Sequence, residues 1–196
     1  GRGGVIFNGC FCRRWFLSAG HGRLALVLKY ISDKKIYISG KMKNEDFMRE
    51  AILISKQNME KGGGPFGAVI VKEGQIIARS GNTVALENDP TAHAEINAIR
   101  QATEYLGDFD LSGCELYSSC EPCPMCLGAI YWARIDRLHF AAGKEDAANA
   151  GFDDSFIYKE LEKPISQRSI PTHQEMREEA LKTFEYWKEK EDKIQY

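Results

Sequence analysis

No stretch of the 196-residue chain approaches the ~20 consecutive apolar residues that cross a bilayer as a helix. The run Leu24-Ala25-Leu26-Val27-Leu28 stops at Lys29, so a membrane partner is not expected. Cysteine is scarce and unevenly placed. Four of the six lie between Cys114 and Cys126, and the other two are Cys10 and Cys12. That clustering argues against a disulfide framework and for metal or thiol chemistry in a reducing compartment, so a cytoplasmic location is expected. Internal repeats, low-complexity tracts and signs of a second folded domain are absent as well. Gly62-Gly63-Gly64-Pro65 lacks the Lys-Ser/Thr of a phosphate-binding loop and follows a helical pattern instead of a strand. Its expected task is to let backbone pass close to a ligand.

Acidic residues are missing from one end. Residues 1–41 hold eight Lys or Arg and one acid, Asp33, whereas residues 42–196 hold 18 basic and 27 acidic side chains behind a net charge of −2. An acidic body repels a phosphate backbone, which weighs against a nucleic-acid polymer as partner. The basic leader shows no sustained period. Transit-peptide and secretory readings compete with that of a cloning remnant or a start placed too far upstream, with Met42 as the natural first residue. The last is preferred, and residues 42–196 are taken as the folded domain. A composition of 43% hydrophobic and 28% charged suits an ordinary globular chain with a sizeable core.

Within that domain the spacing of apolar residues predicts a helix over 44–61, a strand pair at 67–71 and 76–80 around Glu73-Gly74, and a helix opened by Asp89-Pro90-Thr91 and ending near Leu106-Gly107. A strand over 114–119, a helix from Pro122-Cys123 to Arg134, a strand over 138–142, a loop over 151–156 and a terminal helix over about 174–193 follow. The terminal helix carries Met176, Ala180, Phe184 and Trp187 as its apolar stripe. This order predicts an α/β layer fold with a mixed sheet.

Two short stretches carry the chemistry: Thr91-Ala92-His93-Ala94-Glu95, and Cys120-Glu121-Pro122-Cys123-Pro124-Met125-Cys126. One imidazole and two thiolates, from His93, Cys123 and Cys126, are the ligand set of a Zn2+ ion that keeps a fourth tetrahedral position for water. Glu95, beside the histidine, is then the group that moves that water's protons. Taken singly the signals are weak, since a lone histidine is more often structural and a lone C-x-x-C is common in redox and structural-zinc proteins. Together, at two expected helix starts, they point to catalytic zinc. The competing arrangement is a closed structural site with Cys120 as fourth ligand, that of a structural-zinc interaction module. It leaves Glu95 without work.

The pairing of H-x-E with P-C-x-x-C is the signature of zinc-dependent nucleobase deaminases. Pro90-Thr91-Ala92-His93-Ala94-Glu95 and Ser119-Cys120-Glu121-Pro122-Cys123-Pro124-Met125-Cys126 resemble the cytidine/deoxycytidylate deaminase superfamily. Gly63 to Val71, Asn88-Asp89-Pro90 and Ala150 to Tyr158, with its Gly-Phe-Asp-Asp-Ser-Phe, resemble the bacterial guanine-deaminase branch, and the similarity covers residues 43–196. The resemblance implies a three-layer α/β/α fold with a five-stranded mixed sheet, a small purine base as substrate, and a homodimer with an exchanged C-terminal segment. It also implies that Asn82 hydrogen-bonds the base, that Phe66 stacks on it, and that Asp154 and Tyr196 reach in from the C-terminal segment. Deamination of adenosine in transfer RNA, or of another small base or nucleoside such as guanosine or cytosine, shares the zinc motifs and stands as the alternative.

Overall fold

The computed structural model describes residues 42–195; the leader and Tyr196 lie outside the described residues. Helix α1 (Asn44–Glu60) leads into β1 (Gly64–Lys72) and β2 (Gln75–Asn82), joined by the expected turn at Glu73-Gly74. A short α2 (Val84–Glu87) precedes α3 (Ala94–Leu106), then β3 (Cys114–Cys120), α4 (Pro124–Trp132) and β4 (Arg137–Ala142). Three further helices follow: α5 (Lys144–Asn149), α6 (Ser155–Glu162) and, after a 3-10 turn at Ile165–Gln167, α7 (Arg177–Glu189).

The strands lie in the order β2-β1-β3-β4, antiparallel except for the β3–β4 pair. The parallel pair needs a crossover, and α4 supplies it. Period-2 alternation sorts the side chains. Ala68, Ile70 and Leu116 face α3 and α4, where they pack with Ala94, Ala98, Ala102, Ile130 and Ala133. Val69, Val71 and Tyr117 face α1 and meet Phe47 and Ala51. Helices therefore cover both faces, the three-layer α/β/α arrangement expected. The small residues on α3 let that helix lie close to the sheet, which brings its first turn to the end of β3.

Two expectations are corrected. Four strands form among the described residues where the resemblance implied five, because the chain beyond β4 turns at Gly143 straight into α5 and then stays helical or is broken by Pro164 and Pro171. The loop expected over 151–156 is found over 151–154, with α6 beginning at Ser155; α5 and α6, on either side of it, were not expected, and neither holds a buried residue. Beyond Ala133 no hydrophobic side chain is buried among the described residues. Of the stripe read for the terminal helix, Ala180, Phe184 and Trp187 lie on α7, whereas Met176 precedes it in the left-handed conformation; Met176 and Phe184 are 69% and 63% exposed. None of the described helices is long and apolar enough to cross a membrane.

Candidate zinc and substrate site

Asp89-Pro90-Thr91 does not begin a helix. The Asp89 carboxylate accepts hydrogen bonds from the Thr91 amide and hydroxyl at 2.8 and 2.7 Å, closing a turn, and α3 starts four residues after the proline. His93 is consequently the residue capping α3, in extended backbone, with Glu95 in the first turn. Cys123 holds the same place on α4, followed by Pro124 at the first helical position, and Cys126 lies one turn in. Both helices thus begin at a candidate ligand.

Their positive ends converge on one point, where the three candidate ligand atoms lie within 4.8 Å of one another. His93 Nδ1 is 3.6 Å from Cys123 Sγ and 3.5 Å from Cys126 Sγ. Zinc–sulfur and zinc–nitrogen bonds of tetrahedral geometry require a nitrogen–sulfur edge of about 3.6 Å, which both histidine–cysteine distances match. The cluster also stores charge suited to a cation. A hydrogen bond from the Cys126 thiol, joined by one from His93, holds the Cys123 thiol down at about 4. The hydrogen bond to Cys123 in turn pushes His93 up.

Glu95 is buried, and loss of solvent pushes its carboxyl up. Its Oε1 accepts a hydrogen bond of 2.9 Å from Ser118 Oγ, and its Oε2 lies 3.5 Å from Cys126 Sγ. Ser118 can reach it because it shares a sheet face with Leu116, the face covered by α3. Nothing in the sequence singled out Ser118; alternation assigns a face but not a partner. Cys120, the suggested fourth ligand, stands apart from the cluster and directs its thiol to the Gly143 carbonyl at 3.7 Å.

A cavity of about 250 Å³ opens over the cluster, lined by His93, Glu95 and Cys123 together with Phe66, Asn82 and Asp154. The structure therefore brings together all the residues expected at the site except Tyr196, which lies outside the described residues. Phe66 meets Phe152 edge-on, ring centres 4.9 Å apart. Asn82 is buried at the end of β2, its Oδ1 accepting the Val84 amide at 3.2 Å. Asp154 makes no capping hydrogen bond to α6; Asp153 receives the Ser155 amide instead, at 2.9 Å. Burial pushes the Asp154 carboxyl up. Glu121, Lys144 and Phe152 also line the cavity and were not anticipated: Glu121 and Lys144 fall between the elements read from the sequence, and Phe152 in the expected loop.

Residues 41–142 match the cytidine and deoxycytidylate deaminase zinc-binding region. The chain belongs to that family. It is a zinc-dependent hydrolase, and the match spans both helix starts and the strand between them. Guanine deaminase of Bacillus subtilis is 53% identical over 156 residues, which are 79% of this chain and all of that protein. The crystal structure of that enzyme superposes with a TM-score of 0.77, covering 79% of this chain and 99% of the other. Guanine deaminase of Nitrosomonas europaea is 28% identical, with a TM-score of 0.56 over 74% of this chain and 79% of the other. A tRNA-specific adenosine deaminase of Aquifex aeolicus is 46% identical over 101 residues, 52% of this chain and 67% of that protein.

Proposed function

We propose that the chain hydrolyses guanine to xanthine and ammonia. The observation that carries this reading is the 53% identity running through the whole length of the Bacillus subtilis guanine deaminase, C-terminal segment included. The likeness to the Aquifex aeolicus adenosine deaminase covers only about half of this chain. An excess of acidic side chains over residues 42–196 further disfavours a transfer-RNA substrate, and the cavity suits a free heterocycle.

In this reading His93, Cys123 and Cys126 hold the zinc ion, one per subunit. Bound there, zinc supplies a Lewis acid that makes water acidic enough to ionise near neutrality. Glu95 accepts the proton of the attacking water as that water adds to the ring carbon bearing the amino group. The same carboxyl passes that proton to the neighbouring ring nitrogen, then takes the remaining proton from the hydroxyl now on the carbon and gives it to the amine, which leaves as ammonia as the carbonyl forms. General acid–base work of this kind typically contributes about 10²–10⁴-fold. Phe66 stacks on the base, held at its angle by Phe152, and Asn82 hydrogen-bonds the ring. Asp154 and Tyr196 complete the pocket from the C-terminal segment.

The working form is a cytoplasmic homodimer that exchanges this C-terminal segment. The apolar stripe of α7, which buries no residue among the described residues, supports that assembly. The test is ammonia release by the zinc-loaded protein from guanine, guanosine, cytosine, cytidine, adenine and a transfer-RNA substrate, with Glu95→Gln as control. Turnover of guanine that vanishes in Glu95→Gln, with zinc retained, is the expected result. Activity confined to another substrate would move the chain to a neighbouring branch of the family.

A further inference from the structure

The β1–β2 ladder breaks where it meets the pocket. Gly64 pairs with Asn82 and Gly67 with Gly81, so Pro65 and Phe66 are two extra residues on β1 with nothing opposite them. Such a bulge re-aims side chains but leaves ladder groups without partners. Asn58, buried near the end of α1, fills the gap. Its side-chain amide donates to the Gly64 carbonyl and to the Asn82 carbonyl, both at 2.7 Å. Both partners are acceptors, so the nitrogen, not the oxygen, must face the bulge.

The glycines around it follow from this contact. A Cβ at Gly63 would lie 2.4 Å from Asn58 Nδ2, and one at Gly81 would lie 2.3 Å from Asn58 Cγ. Backbone passes closely here to admit an asparagine side chain, in place of the ligand expected from the sequence.

We infer that Asn58 is a positioning residue for base recognition: by tying both strands at one end of the bulge to α1 it fixes Asn82 and Phe66 toward the cavity while touching no reacting atom. This rests on the base-contacting roles proposed above for those two residues. Glu95 and the zinc cluster hang from α3, α4 and β3, so Asn58 acts on binding and not on proton transfer.

The test is Asn58→Asp, which keeps the shape but turns both donors into acceptors facing carbonyls. KM for guanine is expected to rise about tenfold with kcat within about twofold and zinc content unchanged. The Kd for xanthine, measured by calorimetry, should rise in parallel. In an Asn82→Ala background Asn58→Asp should raise KM by clearly less than in the wild type, since the part that acts through Asn82 is already lost and only the part through Phe66 remains. A loss confined to kcat, or full additivity with Asn82→Ala, overturns the inference. Asn58→Ala, which removes the donors without adding charge, is read by the same constants if Asn58→Asp does not fold. Should the wild type fail on guanine, the proposed function falls, and the inference is then read from the Asn82 side-chain amide signal in NMR. That signal should shift in Asn58→Asp whatever the substrate, and constancy overturns the inference.

Discussion

Residues 42–142 and residues 143–195 obey different rules. In the first region helices cover both faces of the central strands β1 and β3, and every buried hydrophobic side chain of the described residues falls between Phe47 and Ala133. In the second, helices form with sensible ends but bury nothing, and large side chains such as Phe156, Leu161, Phe184 and Tyr186 are more than half exposed. The first region is a platform that carries the core, with His93, Cys123 and Cys126 at the starts of two of its helices. The second adds no buried hydrophobic side chain to that core, yet it brings Asp154 to the cavity.

Removing the metal tests the platform most severely. Chelation is expected to abolish turnover while leaving a cooperative unfolding transition, because the two hydrophobic clusters on the sheet are independent of His93, Cys123 and Cys126. Loss of the folded far-UV circular dichroism signal on chelation would return the site to the structural-zinc module. Next in size is a change on α7. Phe184→Glu should convert a dimer to a monomer by light scattering. Two phenyl rings withdrawn from an interface, at about 1.5–3 kcal/mol each, weaken association by at least about a hundredfold. An active, unaltered dimer in that variant would remove α7 from the interface.

A smaller effect separates chemistry from binding within the platform. Ser118→Ala deletes one hydrogen bond to a buried carboxyl, and bonds to charged groups contribute about 1.5–3 kcal/mol. A fall in kcat of about tenfold or more is expected, with KM little changed and with Ser118→Thr largely restoring the rate. This is the mirror image of the Asn58 variants, which are expected to raise KM. Equal effects of both variants on kcat and KM would erase the distinction.

The same division governs what could be read without coordinates. The strands and long helices were legible to within a few residues, because period 2 and period 3.6 persist wherever a face is buried. The zinc set and Glu95 were legible because metal chemistry demands particular side chains at fixed spacing. Helix starts were misplaced by residues at Pro90, since Asp89 can serve a turn as readily as a cap, and only geometry chooses. Helices α5 and α6 went unseen because they are short, six and eight residues, too few turns for a helical period to stand out from a loop. Asn58 and Ser118 were illegible for another reason. Each is defined by a partner twenty or more residues away, and a polar residue within a regular element announces no partner.

The least effect expected lies in the C-terminal segment itself and follows from charge. Glu160 receives Lys163 Nζ at 2.5 Å, the Ser169 amide at 2.6 Å and the Ser169 hydroxyl at 2.9 Å, closing the turn that leads from α6 toward α7. These donors, Lys163 foremost, hold its carboxyl at about 2 against an ordinary value of 4.5. A carboxyl depressed on folding binds its proton more readily in the unfolded segment, so its contribution is complete above about pH 4.5 and fades as pH falls toward 2. The group is half-buried in a turn at the surface, where solvent screening still keeps the effect small. Acidification through that window should loosen residues 160–170 ahead of the sheet, seen as earlier loss of amide protection there. In Glu160→Gln the difference between the two regions should already be present at neutral pH and should no longer change across the window. Protection that falls together in both regions would mean that the platform and the segment are a single cooperative unit after all.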